Sequence, residues 1–203
     1  PTQGFQASLP FVLRWEGDFV DHPADPGGRT NKGVTQRTYD AWRRRQGLAP
    51  RDVVRIEDDE VQRIYESGYW LPPRCDLLAR QLDLAQFDTA VNMGPGRAVR
   101  LLQAAVGAPI DGDFGPETER RVAAGDVGET LLRYCAGRED YYRGLVQRRP
   151  ELGVFLKGWL NRLDALRREV GLPGFESARD VDPGDAGRSA RIPDVGVDPS
   201  YDF

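Results

Sequence analysis

One stretch limits the fold more than any other: residues 15–35, WEGDFVDHPADPGGRTNKGVT. Phe5, Leu9, Val12 and Leu13 fall at i, i+4, i+7 and i+8 just before it, one face of a helix. That helix ends at Trp15-Glu16-Gly17. Pro10 lies inside the pattern, so the helix either begins near it or kinks there. Beyond Glu16 the helical period stops. Asp21, Pro23, Asp25, Pro26, Gly27, Gly28, Thr30, Asn31 and Gly33 make a polar loop long enough for a short hairpin. A carboxylate at a helix C-terminus faces the negative end of the dipole, and Trp15 and Phe19 would strip it of water. Both effects favour the neutral carboxyl, the form a general acid needs.

Glu16 is thus a candidate acid. Asp25 is either a second catalytic carboxylate or an Asx-turn residue of the Pro-Gly-Gly turn. Thr30 and Asn31 either hold a water or stabilise the turn, and Thr35 stands where an N-cap of the next helix belongs. An acid paired with a second carboxylate and water-holding hydroxyls suits glycoside hydrolysis with inversion. The rest of the inventory narrows the chemistry. His22 is the one histidine and Cys75 and Cys135 the two cysteines, too few for a Cys/His zinc cluster and without a nucleophile elbow. No metal or cofactor is expected. The two cysteines either pair or remain buried thiols.

The run resembles the signature of glycoside hydrolase family 108, the N-acetylmuramidases of phage and bacteria: Glu16-Gly17, Asp25-Pro26-Gly27-Gly28, Thr30-Asn31, Gly33-Val34-Thr35. Asp18 stands where the family has a second glycine. The eight residues between Glu16 and Asp25 also match the Glu–Asp spacing of phage lysozymes, while the step to Thr30 is one residue shorter. The likeness continues in Tyr65…Tyr69-Trp70 and in Phe87-Asp88…Val91-Asn92…Gly94. Leu102-Gln103…Gly107…Asp111-Gly112-Asp113-Phe114-Gly115…Thr118 is similar to a peptidoglycan-binding motif, and Gly158-Trp159…Arg162 to a family C-terminal motif. The resemblance implies an all-α, lysozyme-like fold, α+β at most, with a small hairpin or loop after the first helix. It implies cleavage of the β-1,4 bond between N-acetylmuramic acid and N-acetylglucosamine. Glu16 would be the acid, with Asp25 and Thr30 at the water. Asn31, Thr35, Tyr69, Trp70 and Asn92 would bind substrate. Tyr65 reads as core, Tyr69 and Trp70 equally as core or as sugar platform. Packing and an ion pair are the reading for Trp159 and Arg162.

Further helices are expected at about 36–46, 57–69, 76–92, 129–149 and 150–170, with a helix–turn–helix over 98–118 that reads as a buttress. The lobes fall at 1–94 (catalytic) and 95–171 (helical). The Gly/Pro/Asp-rich stretch 172–203 reads as a tail. Net charge is −4 without a basic block, which argues against nucleic acid as a partner. No apolar run approaches the ~20 residues of a membrane span, and no signal peptide is visible. Glycan strands of peptidoglycan are the expected partner of a monomer acting at the cell wall, in periplasm, outside the cell or on a phage particle. Phage or tail-structure proteins stay open as partners. A lytic transglycosylase, a non-catalytic wall-binding protein and a partner-binding use of the scaffold also stay open.

Overall fold

The structure, a computed structural model, describes residues 2–17 and 29–174. Asp18, His22, Asp25 and the expected tail from 175 onward lie outside the described residues. The described chain is helical, with one two-stranded ribbon. No described helix is long and apolar enough to cross a membrane.

Helix α1 (Gln3–Glu16) is capped by Thr2, whose Oγ1 accepts from the Phe5 N–H. It runs through Pro10, which lies on the exposed face, where a carbonyl left without its N–H partner meets solvent. Phe5, Leu9 and Val12 face the core as expected. The ribbon pairs β1 (Thr30–Asn31) with β2 (Val34–Thr35), Thr30 opposite Thr35 and Asn31 opposite Val34. Lys32 and Gly33 both have positive φ, 49° and 74°, the geometry of a type I′ hairpin turn. A Cβ on Gly33 would stand 2.3 Å from the Tyr65 hydroxyl and 2.7 Å from Glu16 Cβ. Only glycine lets this turn close over the end of α1.

Thr35 caps α2 (Gln36–Arg45), and Gly47, with φ 68°, ends it in a Schellman arrangement: Leu48 N–H to Arg43 O and Gly47 N–H to Arg44 O. Glu60 ties α2 to α3 (Asp58–Tyr65). Its carboxylate accepts from Tyr39 Oη at 2.6 Å, from Arg43 Nη1 at 2.7 Å and from Arg51, and completes a capping box with Glu57.

The sequence predicts one helix over 57–69. Instead α3 stops at Tyr65 and a π turn follows, Glu66–Trp70, closed by Leu71 N–H to Glu66 O. A π turn brings i+5, not i+4, beneath residue i. So Trp70, not Tyr69, turns inward below the buried Tyr65. Its ring meets Phe5 and Phe87 edge-on at 5.6 and 5.4 Å.

Helix α4 (Leu82–Met93) begins later than predicted because Arg74 and Gln81 adopt positive φ and break the chain. It is the axis of the fold. Every residue from Leu82 to Asn92 is buried, with α1, α5 (Pro95–Val106) and α7 (Val127–Arg148) packed on it. A short helix α6 (Pro116–Ala124) follows α5, and α8 (Gly153–Glu169) packs on α7. The buttress reading of 98–118 has a concrete basis. The buried Gln103 amide donates to Asp111 Oδ1 and Asp113 O, lies 3.1 Å from Thr118 Oγ1, and accepts from Gly112 N–H. Cys75 and Cys135 are both buried and free. Burial pushes the Cys135 thiol up to about 11.

Two expectations follow. Burial would raise the Glu60 carboxyl, but bonds from Tyr39, the Glu57 N–H and Arg51 outweigh it and hold the group below the ordinary value. A depressed carboxylate stabilises the fold above its unfolded pKa, and the contribution is lost as pH falls through the folded value. Glu60→Gln should therefore cost about 2 kcal/mol near neutrality. The gap from wild type should close as pH drops below the ordinary glutamate range, read by urea denaturation across pH. Gly33→Ala should cost more than about 1 kcal/mol from its φ alone. It should also displace the turn from Tyr65, visible as loss of the Tyr65–Lys32 contact in a crystal structure.

Candidate active site

Glu16 is the last residue of α1, and its side chain is 4% exposed. Among the described residues two things cover it. From one side comes the hairpin turn at Gly33, tied down by Tyr65 Oη donating to Lys32 O at 3.0 Å. From the other comes Arg162 of α8, whose Nη1 donates to Glu16 Oε1 at 2.8 Å. In the sequence only aromatics and a helix dipole stand near Glu16, and the ion-pair partner of Arg162 is not visible.

Arg162 is itself held. Its Nε donates to Asp88 Oδ1 at 2.9 Å. Its Nη2 lies 2.8 Å from the same oxygen, an ion-pair contact rather than a second aligned hydrogen bond. Asp88 Oδ2 accepts from Arg138 Nη1 at 2.7 Å. Arg138 continues to Thr89 Oγ1 and to Tyr142 Oη, and the Tyr142 hydroxyl donates to Asn92 Oδ1 at 2.6 Å. Asp88, Arg138 and Arg162 have no solvent exposure. Burial would raise the Asp88 carboxyl, but Arg162 and Arg138 outweigh it and hold the group below the usual aspartate value. Burial opposes charge on Arg162, and Asp88 and Glu16 overcome that and raise its pKa. The row of charges runs from α1 through α8 and α4 to α7.

The other candidates separate. Thr30 is half-buried in β1, in the ribbon whose turn covers Glu16. Asn31 sends its amide to the Val53 and Val54 carbonyls at 3.2 and 3.3 Å, anchoring the ribbon to a 3₁₀ turn over Val53–Arg55. Thr35 Oγ1 accepts from Thr38 N–H as the N-cap of α2. Trp70 is 1% exposed among Phe5 and Phe87, so it presents no open face to a sugar. Asn92 is 1% exposed, bonded to Tyr142, and its Nδ2 finds no partner among the described residues. Tyr69 is half-buried and lines a cavity of about 480 Å³ with Trp42, Ile64, Thr38, Arg45 and Ser67. Among the described residues no cluster of His, Cys, Asp or Glu could hold a metal ion.

Sequence reasoning names Asp88 only inside the Phe87-Asp88 motif, without a role, and misses Arg138. A signal was present: Asp88 sits in a helical segment whose other positions are mostly apolar, and a carboxylate buried there requires cations.

Comparison with known proteins agrees with this layout. The family model described as Glycosyl hydrolase 108 matches residues 9–94. The model described as Predicted Peptidoglycan domain matches residues 97–164. A search of curated proteins finds no match. Among solved structures, SagA of Brucella abortus is 33% identical with a TM-score of 0.69, and the match covers 82% of this chain and 92% of that one. With that identity over most of both chains, the protein is a peptidoglycan-directed glycoside hydrolase and belongs to the glycosyl hydrolase 108 family.

Proposed function

We propose that the protein is an N-acetylmuramidase, cleaving the β-1,4 bond between N-acetylmuramic acid and N-acetylglucosamine, with Glu16 as the proton donor. The observation that carries this reading is the placement of Glu16: a carboxyl at a helix end, shielded from water, fixed by Arg162 and roofed by a glycine turn. Arg162 stabilises the negative charge that develops on Glu16 as its proton leaves, in a water-poor site. Glu16 gives its proton to the leaving oxygen as the C–O bond breaks. The sugar left behind carries positive charge at its anomeric carbon and ring oxygen, and a water closes on that carbon. Asp25 and Thr30 position and activate this water; Asp25 lies outside the described residues. Asn31 and Thr35 act by holding the ribbon in shape, and Asn92 by holding Tyr142. Tyr69 meets the substrate at its cavity. Trp70 supports that wall from inside.

Arg162 has a defined task. A guanidinium reaches Glu16 and Asp88 with different nitrogens at once, which a lysine ammonium cannot do with the same geometry.

Muropeptides released from purified peptidoglycan should carry reducing N-acetylmuramic acid ends, by mass spectrometry, and Glu16→Gln, checked as folded by circular dichroism, should release none and melt lower because the buried Arg162 loses one of its two carboxylate partners. Anhydro ends would instead make the enzyme a lytic transglycosylase. Arg162→Lys should lower kcat by roughly 100-fold, the effect of misplacing a catalytic group by about an ångström, with little change in KM. Arg162→Ala should also cost about 3–5 kcal/mol of stability, because two carboxylates lose their shared cation.

A further inference from the structure

The cavity beside Tyr69 lies between the end of α2 and the π turn. Its floor is apolar: Trp42 is 3% exposed and Ile64 4% exposed, with the half-buried Tyr69 beside them. Its rim is polar, formed by Thr38, Arg45, Gln46 and Ser67. The cavity lies next to the acid site. Tyr69 packs on Tyr65 with ring centroids 5.7 Å apart, and Tyr65 Oη holds the turn that covers Glu16.

Charge distinguishes its occupant. Arg43 and Arg51 are engaged on Glu60, and Arg63 on Asp59. Arg45, on the rim, is exposed and has no ion-pair partner among the described residues. A neutral N-acetyl sugar offers a guanidinium only neutral acceptors, its hydroxyl and acetyl oxygens, and it needs an open aromatic face, which Trp42 does not provide. A short peptide with methyl side chains and carboxylates fits both halves. Its methyl groups pack against the half-buried Tyr69 ring, over the buried Trp42 and Ile64, and a carboxylate pairs with Arg45 in a charge-assisted bond. Peptidoglycan carries such peptides on its N-acetylmuramic acid residues. Space is available as well: a Cβ built on Gly68, which also lines the cavity, meets nothing within 4 Å.

We propose that this cavity is a stem-peptide subsite, apolar at its floor and closed on a peptide carboxylate by Arg45, so that the enzyme recognises peptide-bearing glycan rather than bare glycan. The subsite rests on the reading of the protein as a peptidoglycan hydrolase. It does not depend on which glycosidic bond is cut.

The test uses the full chain carrying Glu16→Gln and a synthetic stem tetrapeptide, once with a free C-terminal carboxylate and once as the C-terminal amide. Binding is followed by NMR shifts of the Trp42 indole and the Tyr69 ring. The acid should bind about tenfold tighter than the amide, the equivalent of about 1.4 kcal/mol for one charged contact. Arg45→Glu should abolish that preference, and Gly68→Leu should weaken both peptides by filling the cavity. In otherwise wild-type enzyme, Arg45→Glu should raise KM for intact peptidoglycan about tenfold. It should have a smaller effect on glycan strands stripped of peptide by an amidase. Equal binding of acid and amide, shifts confined to other residues, or equal wild-type KM on intact and stripped strands would overturn the subsite. Peptide binding without any released muropeptide would instead leave the subsite standing and sink the muramidase reading.

Discussion

Asp88 is a carboxylate in the middle of a helix with no face toward water. Leaving it unpaired would cost more than the rest of the helix could offset. It is paired twice, by Arg138 from α7 and Arg162 from α8. These two bonds dictate how the C-terminal helices meet α4. Arg162, held by Asp88, also reaches Glu16 Oε1, so the carboxyl at the end of α1 is positioned from the axis of the fold.

This coupling changes the meaning of the second matched segment. Residues 97–164 match a model described as a peptidoglycan domain, yet Arg138 and Arg162 fall inside it and reach back to Asp88 and Glu16 in residues 9–94. Buried residues of both segments also belong to one hydrophobic cluster, from Phe5 to Val170. The glutamate of the first segment is held in place by the second.

Two local backbone irregularities give the site its walls. The type I′ turn at Lys32-Gly33 lets main chain pass within contact distance of Glu16. The π turn at 66–70 commits Trp70 to the core and leaves Tyr69 at a cavity. Each depends on a single feature, a missing Cβ in one case and one extra residue per turn in the other.

By itself the sequence determined the helical class, the end of α1 at Glu16 and a short hairpin after it. It also carried the cap at Thr35 and the helix–turn–helix over 98–118. These follow from local rules: apolar period, capping chemistry, and residues that tolerate positive φ. Only tertiary structure decided the partner of Arg162, 146 positions from Glu16, and the burial of Asp88 between two arginines. It also decided which of Tyr69 and Trp70 would be covered. Pairing across such distances is fixed by how helices pack, and no local pattern encodes it. A π turn hides for a related reason. Its sequence reads as an ordinary helix, and it forms because the core has room for Trp70 at the fifth position, not the fourth.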